Sequence, residues 1–169
     1  MSISMYDFSI PVLTRGLTTM SAVLDKAAAQ AAAKKFDTAV LAQARLFPDM
    51  YPLVRQVQIA CDTAKGAAAR LAGIEVPKHE DTEVTFAELK KRIAKTLDVV
   101  KSVSAAQLKD AESRAIEIKF TNGSWKFTGT GYFTDFVLPN FFFHVSMVYA
   151  LLRKNGIEIG KSDFLGDIQ

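Results

Sequence analysis

Two histidines and one cysteine, His79, His144 and Cys61, are the side chains of this chain best suited to proton transfer, metal ligation or nucleophilic attack near neutral pH. His144 lies in LPNFFFHVSMVYALLRKNG (138–156), a stretch otherwise almost wholly apolar and aromatic. An unperturbed imidazole titrates near pH 6.5, so His144 has the chemistry of a general base. The competing reading is a core histidine whose ring nitrogens are hydrogen-bonded, since burying a polar group without a partner is costly. A catalytic zinc centre needs three protein ligands and an open position, and neither H-x-x-x-H nor E-x-x-H occurs in the chain. On a helix the neighbours of His144 are Asn140, Met147, Val148 and Leu151, a poor set for zinc or iron. Carboxylates would have to come from elsewhere, Asp49 or Asp62 being the candidates. His79 falls in the charged connector IEVPKHEDTEV (74–84) and is expected to be exposed. Cys61 is expected to be an inert core residue.

The elements that must position these groups follow from periodicity. His144 belongs to a helix over roughly 132–155, kinked or broken at Pro139, which cannot donate to the helical ladder. Arg153, Lys154 and Gly156 suit its C-terminal end. PDMYPLVRQVQIACDTAKGAAARLAG (48–73) signals another long helix, with Asp49 placed to cap, Pro52 in the first turn and Gly73 just past the end. Leu53, Val57, Ala60, Cys61, Ala64, Ala68 and Leu71 line one face of it, and Arg55, Gln58 and Asp62 a neighbouring face at i, i+3, i+7. Asp49, Arg55, Gln56, Gln58 and Asp62, with Asn140 and His144 opposite, are therefore the candidate ligand-binding pocket, part polar and part aromatic.

A first helix is expected over 9–35, with Ser9 as N-cap and Pro11 in the first turn. Asp37 is placed to cap a short helix, TAVLAQARL. Thr85 and Glu88 form a capping box ahead of Leu89, Ile93, Leu97 and Val100 at helical spacing, a helix ending near Ser104. In AIEIKFTNGSWKF the period changes to two, with Asn122-Gly123 as the hairpin turn. The tail after Gly156 reads as irregular. The sum is one all-α domain over 1–169, an antiparallel up-down four-helix bundle with a small β-hairpin before the last helix.

Composition narrows the class. One cysteine cannot form an internal disulfide, which fits a reducing cytosol. No N-terminal stretch has the pattern of a signal peptide, and polar residues break the apolar runs well short of the roughly 20 residues needed to span a bilayer. The expected location is cytoplasmic, with no membrane partner. The net charge of +3 is spread along the chain. The densest basic run, KKRIAK (90–95), reads as a solvated helix face, and no nucleic-acid partner is expected. G-x-S-x-G is absent, and Gly129-Thr-Gly131 lacks the continuation of a dinucleotide fingerprint.

The strings PDM, RQVQ and D within 48–73, and PNFFFH, YALLR, NG, GK and DFLG within 138–166, resemble a bacterial family of unknown function, the domain family numbered nineteen-ninety-three, among the DinB/YfiT-like helical bundles. That resemblance implies a four-helix bundle, often a homodimer. Many DinB-like relatives hold a divalent metal with three histidines, one on the second helix and an H-x-x-x-H pair on the last. His144 stands in the region of that pair, but Val148 occupies the place four residues on, and the second long helix has no histidine. The leading expectation is a homodimer without a cofactor that binds a small molecule or a protein partner near His144. The alternatives are a metal-assisted hydrolase or transferase using His144 with Asp49 or Asp62, and a structural or stress-related dimer without chemistry.

Overall fold

The structure, a computed structural model, describes residues 3–166. Helix α1 spans Met5–Ala33, a short α2 Ala39–Ala42, α3 Leu53–Ala72 and α4 Phe86–Lys101. Strands β1 (Ile116–Phe120) and β2 (Gly123–Phe127) follow. A turn of helix, α5 (Gly129–Gly131), runs through a π turn at Tyr132–Val137 into α6 (Leu138–Lys154), and α7 (Lys161–Leu165) closes the chain. The molecule is mostly helical: α3 packs on α4 and α6, and α1 packs against the same two helices.

Helix starts follow from capping chemistry. Thr85 accepts from the Glu88 N–H, and the Glu88 carboxylate accepts from the N–H of Thr85, so the expected capping box forms. The α1 cap is Ser4, whose hydroxyl accepts from the Asp7 N–H at 3.2 Å, not Ser9. Ser9 lies inside the helix, fully buried, and donates to the Met5 carbonyl at 2.6 Å. Pro11 therefore interrupts the helical ladder well past the first turn. The helix ends at Ala33, and Lys35 turns left-handed at φ 58°. Asp37 accepts from the Ala39 N–H at 2.9 Å, but α2 is only four residues long. Asp49 does not cap α3. Pro52 holds that position, and Asp49 sits exposed in the turn before it.

The core is built from one face of each long helix: Leu13, Leu17 and Leu24 on α1, Leu53, Val57 and Leu71 on α3, Leu89 and Ile93 on α4, and Phe141, Val148 and Leu151 on α6, all fully buried. Gly16 lets α1 and α6 approach, since a Cβ there would lie 2.4 Å from the Phe141 ring. Gly73 ends α3 at φ +70°, the conformation a helix C-terminus favours.

The interruption expected at Pro139 is the π turn just before it. Pro139 has no N–H for the Asp135 carbonyl, and its ring would crowd that carbonyl in a regular helix. Widening the preceding turn resolves both problems. Residues Gly129–Lys154 form a run of 26, long and apolar enough to cross a membrane by length and composition, contrary to the reading from sequence. That apolarity is used in packing: the run carries Phe133, Val137, Phe141, Val148 and Leu151 into the core.

In the hairpin Phe120 pairs with Gly123, so the two turn residues are Thr121 and Asn122 rather than Asn122 and Gly123. Neither Asn122 nor Gly123 has a positive φ, so the turn is not the type I′ that Asn-Gly usually signals. Trp125 stacks edge-on against Phe136 of the π turn, and Phe127 packs near Tyr132 and Phe136, which docks the ribbon on the helices. The tail is not wholly irregular. The Asp163 carboxylate accepts from the Gly160 N–H at 2.7 Å to start α7, whose Phe164 meets Tyr149.

Candidate functional site

The seven residues selected from the sequence do not form one pocket. The structure divides them into a histidine–glutamine pair, an asparagine–threonine pair and an ion network, and leaves Asp49 apart.

His144 on α6 faces Gln56 on α3, with Nδ1 2.6 Å from Oε1. The orientation is set by a third group. Gln56 Nε2 donates to the Tyr51 carbonyl at 3.1 Å, and a carbonyl can only accept, so Oε1 is the atom turned to the imidazole. His144 Nδ1 must then carry the proton. Burial and the neighbouring Arg55 guanidinium lower the His144 pKa, which keeps the ring neutral. Among the described residues no carboxylate bonds to His144: Asp49 is exposed in its turn, and Asp62 is engaged elsewhere. Four residues before His144, Asn140 donates to the Thr63 hydroxyl at 2.8 Å, a second polar link between α6 and α3.

Arg55, Gln58 and Asp62 belong to a network centred on a residue that sequence reading passed over, Arg92. Its side chain is 1% exposed. Arg92 Nη2 contacts Asp62 at 2.8 Å and Asp81 at 2.9 Å, and Nη1 donates to Glu83 at 3.0 Å and to the Glu80 carbonyl at 2.8 Å. Lys65, itself buried, pairs with Asp62 at 2.8 Å. Arg55 bonds Asp81 and donates to Gln58 at 3.2 Å, and Gln58 donates to Glu83 at 3.0 Å. Burial disfavours the Arg92 cation, yet Asp62 and Glu83 outweigh it and raise its pKa. The network fastens the connector before α4 onto α3 and α4. Arg92 had a signal in the sequence, because it falls between Leu89 and Ile93 on the inward period of α4. Asp81 and Glu83 lie in a connector without periodicity and had none.

A cavity of about 260 Å³ opens where α3 meets β1 and the π turn. Arg55, Arg70 and Asp62 line it with Ile59, Ile118 and Phe136. Arg70 Nη1 donates to the Tyr132 hydroxyl at 3.2 Å, and among the described residues no carboxylate lies within salt-bridge distance of Arg70. Burial raises the Tyr132 pKa, so its hydroxyl stays protonated.

The residues present do not fit the three-histidine metal centre implied by the family resemblance. Nδ1 of His144 is held by Gln56, Val148 stands one turn on, and no group of three or more His, Cys, Asp or Glu among the described residues could hold a metal ion. Cys61 is buried, and burial pushes its thiol up to about 12 against the opposing pull of Thr96 and Arg92, which suits an inert core residue.

This architecture is that of DinB-type helical proteins. The crystal structure of a DinB family member protein from Shewanella denitrificans superposes with a TM-score of 0.89 at 41% identity, covering 96% of this chain and 92% of that one. A family model, DUF1993, a domain of unknown function, matches residues 5–165, and the chain belongs to that family. No curated protein matches.

Proposed function

We propose that this DUF1993 protein is a binding protein for a small organic acid, held without a metal centre in the groove between α3, β1 and the π turn. The observation that carries the reading is Arg70. Its guanidinium has no carboxylate partner among the described residues, is aimed by the Tyr132 hydroxyl, and sits beside the apolar wall of Ile59, Ile118 and Phe136. A guanidinium recognises a carboxylate in bidentate fashion, and the wall would take an apolar tail. Arg55 lines the same groove and reaches the field of His144. His144 serves as a neutral, hydrogen-bonded support. The test is a thermal-shift screen of aliphatic and aromatic monocarboxylates. Saturable stabilisation that Arg70→Ala abolishes is expected. A screen without hits, or hits unaffected by Arg70→Ala, overturns the reading. Metal analysis of untagged protein should give well under one equivalent, and stoichiometric metal lost in His144→Ala would overturn the metal-free part.

The antiparallel up-and-down arrangement is supported by α3 and α1 each packing on α4 and α6. A homodimer is favoured by a separate observation. Phe120, Trp125 and Phe143 are each about half exposed, the first two packed together and linked through Phe136 to the helix that carries Phe143. Sedimentation should give twice the chain mass, and a monomer at micromolar concentration would count against it. A cytoplasmic location fits the single buried thiol.

A further inference from the structure

KKRIAK, read from sequence as a solvated helix face, does three different things in the fold. Lys90 pairs with Asp25 of α1. Arg92 turns inward to the ion network. Lys91 and Lys95, one helical turn apart, are exposed and line a cavity of about 520 Å³ between α4 and the connector, opposite Lys78, His79 and Thr82.

The charges around this cavity do not balance locally. Lys78, Lys91 and Lys95 form no salt bridge among the described residues. Of the carboxylates at the rim, Glu83 is committed to Arg92 and Gln58, and Glu88 to the N–H groups of Val84 and Thr85. Hydrogen bonds to neutral N–H groups leave the Glu88 charge in place, so Glu80 and Glu88 stand against three ammonium groups, and the excess is positive. His79 is the second observation. It was expected to be exposed, yet both ring nitrogens are buried and neither has a hydrogen-bond partner among the described residues. A neutral imidazole has one donor and one acceptor, and leaving either buried and unmade is costly. Burial first, then Lys65, Lys95 and Arg92, lower the His79 pKa against the opposing pull of Asp62, so the ring is neutral.

We infer that this cavity binds a small, multiply charged anion of the phosphate-ester or polycarboxylate class, held by Lys78, Lys91 and Lys95, with the His79 ring turning to bring one of its unpartnered nitrogens to the anion. The volume is that of a metabolite site. Among the described residues no Phe, Tyr or Trp lines the cavity to stack a base, which favours a small ligand over a nucleic-acid strand. The site adjoins the Arg70 groove through a hollow shared by Asp62, Arg70, Lys78 and His79, but Arg70 does not line it, so the inference does not rest on the acid groove.

The experiment is titration calorimetry of the full chain with inorganic pyrophosphate and, separately, with citrate, at low and at physiological salt. One-to-one binding of at least one probe is expected, weakened tenfold or more in Lys91→Ala/Lys95→Ala and in His79→Phe. Both lysines are exposed, so the double variant keeps its fold, which circular dichroism verifies. Tighter pyrophosphate binding assigns the phosphate class, and tighter citrate binding the polycarboxylate class. Arg70→Ala should leave either unchanged, so failure of the acid groove and failure of this site are distinguishable. Absence of saturable binding, binding indifferent to both variants, or a single-stranded oligonucleotide bound more tightly than either probe would overturn the inference.

Discussion

Replacing Arg92 with methionine tests whether the ion network fastens the connector to the helices. Methionine keeps much of the aliphatic volume but removes the donors to Asp62, Asp81, Glu83 and the Glu80 carbonyl. Asp62 retains Lys65 and Asp81 retains Arg55. Glu83, with a side chain 14% exposed, retains only Gln58 and is the carboxylate left stranded. Removing one partner of a buried charge network costs about 3–5 kcal/mol. For a chain of this length that is a fall of roughly 10 °C in Tm, read by calorimetry or urea unfolding at pH 7. The double variant Arg92→Met/Glu83→Gln should recover part of the loss, because the stranded charge is gone. The pH dependence has a definite sign. Burial pushes the Asp81 carboxyl up, but Arg55 and Arg92 together pull it further down, so its folded pKa is below the ordinary value of 3.8. That stabilisation is full above about pH 4 and is lost as pH falls through the folded pKa. Without Arg92 less of it exists to lose, so the gap between wild type and variant should narrow below about pH 4. A loss under about 1 kcal/mol, the scale of an exposed ion pair, would refute the reasoning.

The His144 imidazole should titrate below its ordinary 6.5 in NMR of the folded protein. Because the unfolded ring takes a proton first, that contribution to stability is present above pH 6.5 and lost as pH falls below it; His144→Phe, which strands Gln56 Oε1, should cost about 1–3 kcal/mol. Gly129→Ala would place a Cβ 1.8 Å from the Ala111 carbonyl oxygen, a backbone atom that cannot rotate away, and should cost about 3 kcal/mol in urea unfolding. Gly16→Ala meets only the Phe141 ring, which can shift, and should cost less. Cys61 should resist a thiol reagent at pH 8 in the folded protein and react fully in denaturant, whereas rapid native labelling would contradict its burial and raised pKa.

Local signals decided much of this protein. The Thr85–Glu88 capping box, the Gly73 stop and the apolar period of α3 depend on residues within a few positions of each other, so they were legible in the chain. So was the interruption at Pro139, because a missing N–H acts on its own helix. The errors arose where two local signals competed or a partner lay far away. Ser4 and Ser9 both had the chemistry of an N-cap, and only the helix actually formed decided between them. Asn122-Gly123 is a strong turn signal, but pairing of Phe120 with Gly123, with the ribbon docked on Phe136, set the turn one residue earlier. Polar residues at helical spacing on α3 suggested one pocket, yet side chains a few residues apart on a helix point to different neighbours. Gln56 met His144 of α6, while Arg55, Gln58 and Asp62 met Asp81, Glu83 and Arg92, 25 to 30 residues away in sequence. The same holds for KKRIAK, where the sequence determined a basic helix and only the packing of α4 on α3 decided which charge is buried and which line a cavity. A side chain's type and helical phase are local properties, but its partner is a property of the whole fold.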